Sequence, residues 1–310
     1  MGKSSLRAAE RAEWFKREAL ALGFSAVGIA QADFLEEEAI NLETWLKRGY
    51  AGEMTYLERN ADKRLDPRVL YPGTRSVVSL VFNYHNPEPP QAENAPRVAQ
   101  YAFGEDYHFV LKWKLKELLK KARAEWGDFQ GRAFVDSAPV HERAWARRAG
   151  LGWVGKNSLL LNKGMGSYFF LAELLVDLDL QPDRPNPVDH CGTCTRCIDA
   201  CPTGAIIQPQ VVDGSRCISY FTIELRGEIP EPYARQLGDW VFGCDVCQEV
   251  CPWNRHATPH QEPRLAPREG MMELSREDWL DLTDEAFRSI FRDTPLKRTG
   301  LDKIRRTITG

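Results

Sequence analysis

The first 190 residues of this 310-residue chain contain no cysteine, and residues 1–5 form no apolar targeting core. A secreted protein held together by disulfides would have cysteines in this part of the chain and an apolar N-terminal signal. We therefore exclude that class and expect reduced thiols in the cytoplasm. No apolar run approaches the length of a membrane span, and we therefore expect no membrane partner. Hydrophobic residues make up 43% of the chain and charged residues 27%, as in a globular protein with a sizeable core.

The chain also has little excess charge, with a formal net charge of -3. That balance excludes a globally basic nucleic-acid-binding protein, but it leaves room for a local basic face. Basic side chains are dense in two stretches, the first holding Arg143, Arg147, Arg148, Lys156 and Lys163 and the second holding Lys297, Arg298, Lys303, Arg305 and Arg306. Each stretch is either a solvated helix face or a contact surface for phosphates.

Hydrophobic periodicity predicts alternating helices and strands over residues 1–180. The predicted helices are 5–22, 36–48, 108–125 and 141–149, and the predicted strands are 24–30, 76–82, 133–135 and 168–175. Residues 86–96, rich in proline and polar side chains, are predicted to form a loop. This alternation is typical of a layered α/β or α+β domain.

The rest of the chain divides into two further predicted parts. A proline-rich stretch at 181–188 leads into a cysteine-bearing module at 181–260. Two short helices, near 275–282 and 283–292, are predicted in a helical C-terminal segment at 261–310.

The cysteines follow one spacing rule. They are arranged as C-x2-C-x2-C-x3-C-P at Cys191, Cys194, Cys197 and Cys201, as C-x2-C-x3-C-P at Cys244, Cys247 and Cys251, and as the single Cys217. This spacing is typical of ferredoxin modules with two [4Fe–4S] clusters, in which the last cysteine of a run ligates the other cluster. The arithmetic assigns Cys191, Cys194, Cys197 and Cys251 to one cluster, and Cys201, Cys217, Cys244 and Cys247 to the other.

Zinc is the main alternative for these cysteines, because it needs only C-x2-C pairs and could add His190 or His256 as a ligand. Zinc gives no reason for two Cys-Pro endings, however. We therefore favour iron–sulfur clusters, which transfer electrons one at a time.

The 180 residues before the module must then bind a redox partner, a cofactor or a substrate. Gly150, Gly152 and Gly155 match G-x-G-x-x-G, but they follow a predicted helix instead of a strand, so we expect close approach to another cofactor instead of a dinucleotide site. Asp136 follows a predicted buried strand. It is either a proton donor, with its pKa raised beside an apolar cofactor, or the cap of the next helix.

Three further segments support a family resemblance. They are Val135-Asp136-Ser137-Ala138-Pro139-Val140-His141-Glu142-Arg143, Gly152-Trp153-Val154-Gly155-Lys156-Asn157-Ser158, and Tyr101-Ala102-Phe103-Gly104-Glu105-Asp106-Tyr107-His108. The stretch Cys217-Ile218-Ser219-Tyr220, followed by Thr222-Ile223-Glu224, belongs with them. Together with the cysteine module, these motifs closely resemble the epoxyqueuosine reductases over residues 10–310.

The resemblance implies a cobalamin-binding layered α/β domain, a ferredoxin-like module with two [4Fe–4S] clusters and a short helical C-terminus. It also implies reduction of the epoxide of epoxyqueuosine to queuosine at the tRNA wobble position. Electrons would pass through the clusters to cobalamin, and Asp136 would supply the proton. The family is similar in architecture to the reductive dehalogenases.

The resemblance further implies that cobalamin binds base-off, with no histidine replacing its own base. The segment Asp106-Tyr107-His108-Phe109-Val110-Leu111 is the nearest match to D-x-H-x-x-G and has Leu where Gly is expected. His108 would then be free to position substrate. Other cofactor contacts that we expect are Arg59, Tyr101, Lys156, Asn157, Ser158, Ser219, Tyr220 and Thr222.

Two other functions remain as alternatives, a corrinoid reductive dehalogenase and a non-catalytic, ferredoxin-type electron carrier. The dehalogenases are typically exported with a twin-arginine signal, which the N-terminus lacks. For the reductase we expect two partners, namely tRNA carrying epoxyqueuosine and an external electron donor of flavodoxin or ferredoxin type. We also expect the chain to be a monomer.

Overall fold

The structure is a computed structural model that describes residues 3–87, 92–185 and 188–309. The predicted loop at 86–96 and the predicted linker at 181–188 therefore lie partly outside the described residues. In the described part of the chain, no helix combines the length and the apolar character needed to cross a bilayer.

A four-stranded sheet in the order β1-β2-β7-β4 forms the centre of the N-terminal part. Its strands are β1 (Ala26–Gln31), β2 (Ser76–Asn83), β4 (Gly131–Phe134) and β7 (Phe169–Val176). All three pairings are antiparallel, which makes this domain the α+β form of the predicted layered fold. The register places Glu173 of β7 opposite both Ser79 of β2 and Phe134 of β4.

Helices cover both faces of this sheet, so the central strands are apolar on both sides. This is why β2 is predicted from a continuous apolar run instead of an alternating one. The helices of the N-terminal part are α1 (Lys3–Ala21), α2 (Glu36–Lys47), α3 (Ala61–Leu65), α4 (Pro67–Leu70), α5 (Tyr107–Trp126) and α6 (Glu142–Arg148). Helices α1 and α5 pack on one face, and α2 and α6 on the other.

Helix α6 lies unusually close to the sheet. A Cβ on Gly28 of β1 would lie 2.2 Å from the carbonyl oxygen of Ala149, the residue that ends α6. Only glycine permits this approach, and it brings the N-terminus of α6 over the middle of β7.

Small strands complete the N-terminal part and connect it to the module. They are β3 (Arg97–Val98), β5 (Trp153–Val154) and β6 (Leu160–Leu161). Within the G-x-G-x-x-G string, a Cβ on Gly152 would lie 2.0 Å from the carbonyl oxygen of Leu161. The backbone at Gly152 therefore approaches the chain's own β6 closely.

The cysteine module is built from short elements, as expected where clusters take the place of a large apolar core. They are α7 (Arg196–Asp199), β8 (Ile206–Gln208), β9 (Val211–Val212), a π-turn at Tyr220–Glu224, β10 (Trp240–Phe242) and α8 (Val246–Glu249). Strand β10 pairs in parallel with β3, so the module is joined to the N-terminal part by backbone hydrogen bonds.

A buried polar network strengthens this junction. The Gln248 side chain donates to the Ser167 carbonyl oxygen at 3.0 Å, and Asn254 Oδ1 accepts from Ser167 N at 2.6 Å. Asn254 Nδ2 donates to the Gln248 carbonyl oxygen at 2.7 Å, which closes the network. The turn that carries Cys247 and Cys251 is thereby held to the residues just before β7.

Four helices follow the module. They are α9 (Arg276–Asp281), α10 (Asp284–Ile290), α11 (Leu296–Thr299) and α12 (Leu301–Thr309). The first two confirm the predicted helices, and α11 and α12 were not predicted. The helical segment shares one core with Val98 and Phe242, since Trp279, Phe291 and Ile304 pack there.

Candidate active site and cluster site

Asp136 lies in the loop between β4 and α6 with a φ of 51°, in the left-handed region that non-glycine residues rarely occupy. Its backbone N–H donates to Glu142 Oε1 at 2.6 Å, which holds this conformation. The N-cap of α6 is His141, so the helix-cap role considered for Asp136 is excluded. A side chain held in a strained backbone is a recognised mark of function.

The N-terminus of α5 supplies the partners of the Asp136 carboxyl. Tyr107 Oη donates to Asp136 Oδ2 at 2.6 Å, and His108 Nε2 lies 3.5 Å from the same oxygen. Asp106, the N-cap of α5, accepts from His108 N and lies 2.7 Å from His108 Nδ1. His108 is thus held between two carboxylates.

These contacts decide the protonation states. Burial alone would lower the pKa of His108, but its hydrogen bonds to Asp106 and Asp136 raise it to about 9. Burial would raise the pKa of Asp136, but hydrogen bonds from His108 and Tyr107 lower it. The sequence-based expectation of a raised pKa is therefore reversed here, because a cationic histidine faces the carboxylate.

The Asp136 side chain lies at an opening that we call the mouth. We define the mouth by the surrounding residues Tyr56, Arg64, Tyr101 and Arg298. The charges of these residues and of Asp136 act on one another, although they come from distant segments. Tyr101 packs at the junction of three cores and contacts Tyr107 edge-on, with ring centroids 6.1 Å apart. The Asp136 side chain is 57% exposed, so a bound molecule can reach it.

All eight cysteines are unpaired and half-buried. Burial raises the pKa of each of Cys197, Cys251, Cys244 and Cys247, and neighbouring thiols raise it further. The neighbours fall into two sets: Cys191, Cys194, Cys197 and Cys251 form one, and Cys201, Cys217, Cys244 and Cys247 form the other. Each set thus consists of thiols that neighbour one another.

Polar hydrogens point at sulfur in both sets. Trp153 Nε1 donates to Cys191 Sγ at 3.5 Å, and Ala205 N donates to Cys201 Sγ at 3.3 Å. Donors of this kind stabilise thiolate sulfur and tune cluster potentials.

The loop at 155–158 lies between the two sites. Lys156 Nζ donates to the Gly192 carbonyl oxygen at 2.7 Å, and Asn157 Nδ2 donates to the Cys247 carbonyl oxygen at 3.4 Å. Ser158 has a φ of 63°, and its buried hydroxyl has no hydrogen-bond partner among the described residues. Of these three predicted contacts, Ser158 is the one with an unused polar group.

The remaining predicted contacts differ in availability. Tyr220 is buried, and its hydroxyl accepts a hydrogen bond from Glu53 N at 3.0 Å. The adjacent Ser219 is half-buried, and Arg59 is exposed. The Thr222 hydroxyl is fully buried, donates to the Ile218 carbonyl oxygen at 2.9 Å and accepts from Gly243 N at 3.0 Å. We therefore assign Thr222 a structural role and no longer a cofactor contact.

Most of the first basic stretch is engaged within the protein. Arg147 pairs with Glu37 at 2.6 Å and with Glu38 at 2.9 Å, and Arg143 donates to the Ser158 carbonyl oxygen. In the second stretch, Lys303 donates to the Leu225 carbonyl oxygen at 2.6 Å. Arg298 pairs with Glu224 at 2.8 Å, and its side chain is still 64% exposed at the mouth.

Sequence reasoning missed Tyr107, Glu142 and Glu173 as members of the site. Tyr107 stands between Asp106 and His108, which the sequence analysis considered, and a tyrosine hydroxyl at the start of a helix was a usable signal. Glu173 lies in an otherwise apolar strand, which was a second signal.

We predict that Asp106→Asn lowers the pKa of His108 from about 9 towards 6.5, because one of its two carboxylate partners is lost. Asparagine still caps a helix, so α5 should keep its start. Histidine ring-proton NMR over a pH series measures the change. In the wild type, the stabilisation from His108 is complete below about pH 6.5 and is lost as the pH rises through about 9.

Asp66→Asn is the matched control for that titration, since Asp66 caps α4 through Arg68 N at 2.9 Å. It should leave the titration of His108 unchanged. An unaltered pKa of His108 in Asp106→Asn would show that the ion pair does not hold the proton.

Two family matches cover parts of the chain. Residues 64–137 match the family described as "Epoxyqueuosine reductase QueG, DUF1730", and residues 190–254 match the "4Fe-4S double cluster binding domain". The first match includes the strand β2, the start of α5 and Asp136, and the second includes all eight cysteines.

Close relatives and solved structures extend the similarity. The epoxyqueuosine reductase of Cellulophaga algicola is 53% identical, over 96% of this chain and 97% of the relative. That of Cyclobacterium marinum is 54% identical, over 94% of each chain.

Two solved structures have nearly the same fold. A crystal structure of epoxyqueuosine reductase with a tRNA-Tyr epoxyqueuosine-modified stem loop has a TM-score of 0.85 and 30% identity, over 96% of this chain and 79% of that one. A Bacillus subtilis structure, with its catalytic aspartate loop swung out of the active site, has a TM-score of 0.87 and 29% identity, over the same shares. The chain belongs to the epoxyqueuosine reductase family.

Proposed function

We propose that this protein reduces epoxyqueuosine in tRNA to queuosine. The observation that carries the proposal is the placement of Asp136, whose exposed carboxyl is held by Tyr107 and His108 at a mouth next to the eight-cysteine module. A relative has been solved with an epoxyqueuosine-modified stem loop, and another with a mobile catalytic aspartate loop. Asp136 lies in a loop of this chain that fits that description.

The reaction sets the requirements for the site. Converting an epoxide to an alkene takes two electrons and two protons and releases water. A binding module that only carried electrons would need no proton-holding group, whereas this mouth presents an aspartate with a cationic histidine behind it. The arrangement therefore favours an enzyme over an electron carrier.

For the clusters, we propose the assignment predicted from the spacing, with Cys191, Cys194, Cys197 and Cys251 on one and Cys201, Cys217, Cys244 and Cys247 on the other. Support comes from the two sets of neighbouring thiols and from the N–H donors that face Cys191 and Cys201. The junction at Gln248 and Asn254 keeps both sets close to β7, and hence to the mouth.

Cobalamin fits the residues around the mouth. Ser158 Oγ and Arg64 Nε are buried without a hydrogen-bond partner among the described residues, as donors awaiting a polar ligand would be. We propose that they contact the cofactor, with Lys156, Asn157, Tyr101, Ser219, Tyr220 and Arg59 around them. Bound cobalamin would supply low-valent cobalt as the strong reductant. His108 is engaged at both ring nitrogens, which supports base-off binding without a histidine ligand.

We propose that His108 and Asp136 together deliver one of the two protons that the reaction consumes, and that solvent water supplies the other. His108 holds its proton at neutral pH, because its pKa is raised to about 9, and its Nε2 faces Asp136 Oδ2. Asp136 receives the proton from His108 and presents it to the substrate oxygen, while Tyr107 orients the carboxyl. His108 thus stores the proton, and Asp136 delivers it to the substrate.

The tRNA would contact α5 and Arg298 beside the mouth. Phe109 and Trp113 are 60% and 53% exposed, one helical turn apart, and they are flanked by the half-buried Lys112 and the exposed Lys116 and Lys120. Lys112 Nζ donates to Ser137 Oγ at 3.0 Å, so this face continues directly into the Asp136 loop. Aromatic rings between basic side chains suit splayed anticodon bases and their phosphates.

The external electron donor, the monomeric state and the cytoplasmic location remain proposals as stated from the sequence. The three-part division at 1–180, 181–260 and 261–310 is kept as a proposal too. Strand pairing and shared cores join the parts closely, so we expect them to unfold together.

Asp136→Asn should keep the clusters but lower kcat by about 10²–10⁴-fold, the usual range for a lost proton donor. Anaerobic turnover of tRNA carrying epoxyqueuosine, read by nucleoside mass spectrometry, measures it. Asp128→Asn, at an exposed position after α5, is the matched control. Full turnover by Asp136→Asn would remove Asp136 from the mechanism, and no turnover by the wild type would refute the function itself.

Replacing both Phe109 and Trp113 with alanine should raise KM for tRNA at least fivefold with little change in kcat, because base stacking on an aromatic ring contributes roughly 1–3 kcal/mol. Ile40→Ala is the control, since Ile40 is 69% exposed on α2, across the sheet from α5. Equal KM values for the double variant and the control would place the tRNA elsewhere.

A further inference from the structure

Glu173 is a fully buried carboxyl in the middle of the central strand β7, with 0% exposure. Neither of its oxygens has a hydrogen-bond partner among the described residues. Its cross-strand neighbour Ser79 is also buried, and the Ser79 hydroxyl is likewise unpartnered there. An ionised carboxylate in such surroundings would be very costly, because burial removes its hydration without compensation.

The carboxyl of Glu142, the first residue of α6, is a neighbour of Glu173, and the two carboxyls lie within hydrogen-bond reach of each other. Burial raises the pKa of both groups. The charge of Asp136 raises the pKa of Glu142 further, and the charge of Glu142 raises that of Glu173 further. Two carboxylates can only accept hydrogen bonds, so a bond forms between them only if one is protonated. A proton between them would satisfy the unpartnered oxygens of Glu173.

Among the described residues, no cationic side chain forms an ion pair with either glutamate in place of that proton. Asp136 adds a further negative charge on the side of the Asp136 loop. Arg143 lies next to Glu142 on α6, and it donates to the Ser158 carbonyl oxygen instead of to either glutamate. The charge of Glu142 also raises the pKa of Arg64, on α3, and of Tyr107, on α5.

We propose that Glu142 and Glu173 share one proton, and that this proton positions the Asp136 loop. Glu173 donates to Glu142, and Glu142 Oε1 accepts from Asp136 N at 2.6 Å. These contacts connect Glu173, in the centre of the sheet, to Asp136, whose backbone is in the left-handed region. Glu173 is a positioning residue, since it acts on Asp136 through Glu142.

The shared proton explains why three acidic residues can meet at this point. With the proton present, the pair carries one negative charge instead of two beside the Asp136 carboxylate. When the pH rises far enough to remove the shared proton, the pair gains a second buried charge, and burial opposes this loss by raising the pKa of Glu173 well above its usual range. Repulsion then weakens the contact that holds Asp136. The inference rests on the proposed function only in giving Asp136 its catalytic role.

Infrared spectroscopy tests the proton directly on the anaerobic, cluster-loaded wild type. A protonated carboxylic acid should give a carbonyl-stretch band at neutral pH, and the band should be absent from Glu173→Gln. Asp245→Asn is the control, because burial raises the pKa of Asp245 to about 7 and makes it a competing source of such a band. A wild type without the band, or a band lost in Asp245→Asn and kept in Glu173→Gln, overturns the proposal.

Thermal unfolding across pH gives a second reading that needs no substrate. Because the folded-state pKa of Glu173 is raised well above its usual 4.5, the wild type loses stability as the pH rises above about 4.5. Glutamine at 173 donates permanently to Glu142 and removes this titration. The difference in Tm between Glu173→Gln and the wild type should therefore grow in favour of the variant from acidic pH to about pH 8. A difference that is constant with pH contradicts the shared proton.

Turnover tests the positioning role. Glu173→Gln keeps the hydrogen-bond donor and should move the alkaline limb of the kcat profile to higher pH. Glu173→Leu loses the donor and should have a kcat about fivefold below that of Glu173→Gln at neutral pH, the usual effect of one hydrogen bond. Equal kcat values for the two variants, with a wild-type alkaline limb in both, contradict the role. If neither variant folds, the wild-type infrared band still decides.

Discussion

The buried network of Gln248, Asn254 and Ser167 is the interaction on which the rest of the structure depends. It ties the turn that carries Cys247 and Cys251 to the entry of β7, and β7 carries Glu173 six residues further on. The same strand therefore fixes the thiols at one end and the support of the Asp136 loop in its middle. Every member of this network is buried and paired, which is the condition under which polar groups rigidify a core.

The site itself is organised by the sharing of protons among acids. Asp136 is held ionised because His108 is held cationic, and His108 is cationic because Asp106 faces its other nitrogen. On the opposite side, the Glu142 and Glu173 pair reduces the negative charge that Asp136 would otherwise meet. A single substitution among these acids and His108 changes the protonation of its neighbours. Their titrations are therefore coupled, and the apparent pKa values belong to the whole set.

The sequence predicts the local features well and the long-range ones poorly. Cysteine spacing is a local property, and it predicted the double [4Fe–4S] domain that the family match over residues 190–254 confirms. The strands at 76–82 and 168–175 were confirmed because both faces of each are buried. The order β1-β2-β7-β4 could not be predicted, because nothing local shows that β7 lies between β2 and β4.

The same limit applies to the site. Asp136 was singled out, but the reversal of its pKa depends on the distant start of α5. The first basic stretch was predicted to be either a solvated helix face or a phosphate surface, and the structure shows that Arg147 pairs with Glu37 and Glu38. Arg298 from the second stretch reaches the mouth only because α11 packs back onto the N-terminal part.

The central claim is that the cysteine module and the Asp136 mouth act as one reducing unit. The most direct measurement mixes the chemically reduced, cofactor-loaded enzyme with epoxyqueuosine tRNA, without further reductant and without oxygen. EPR follows the electrons leaving the clusters, and nucleoside mass spectrometry counts the queuosine. The account predicts that about two electrons disappear for each queuosine formed. Queuosine formed while the clusters stay reduced, or clusters oxidised without queuosine, would contradict it.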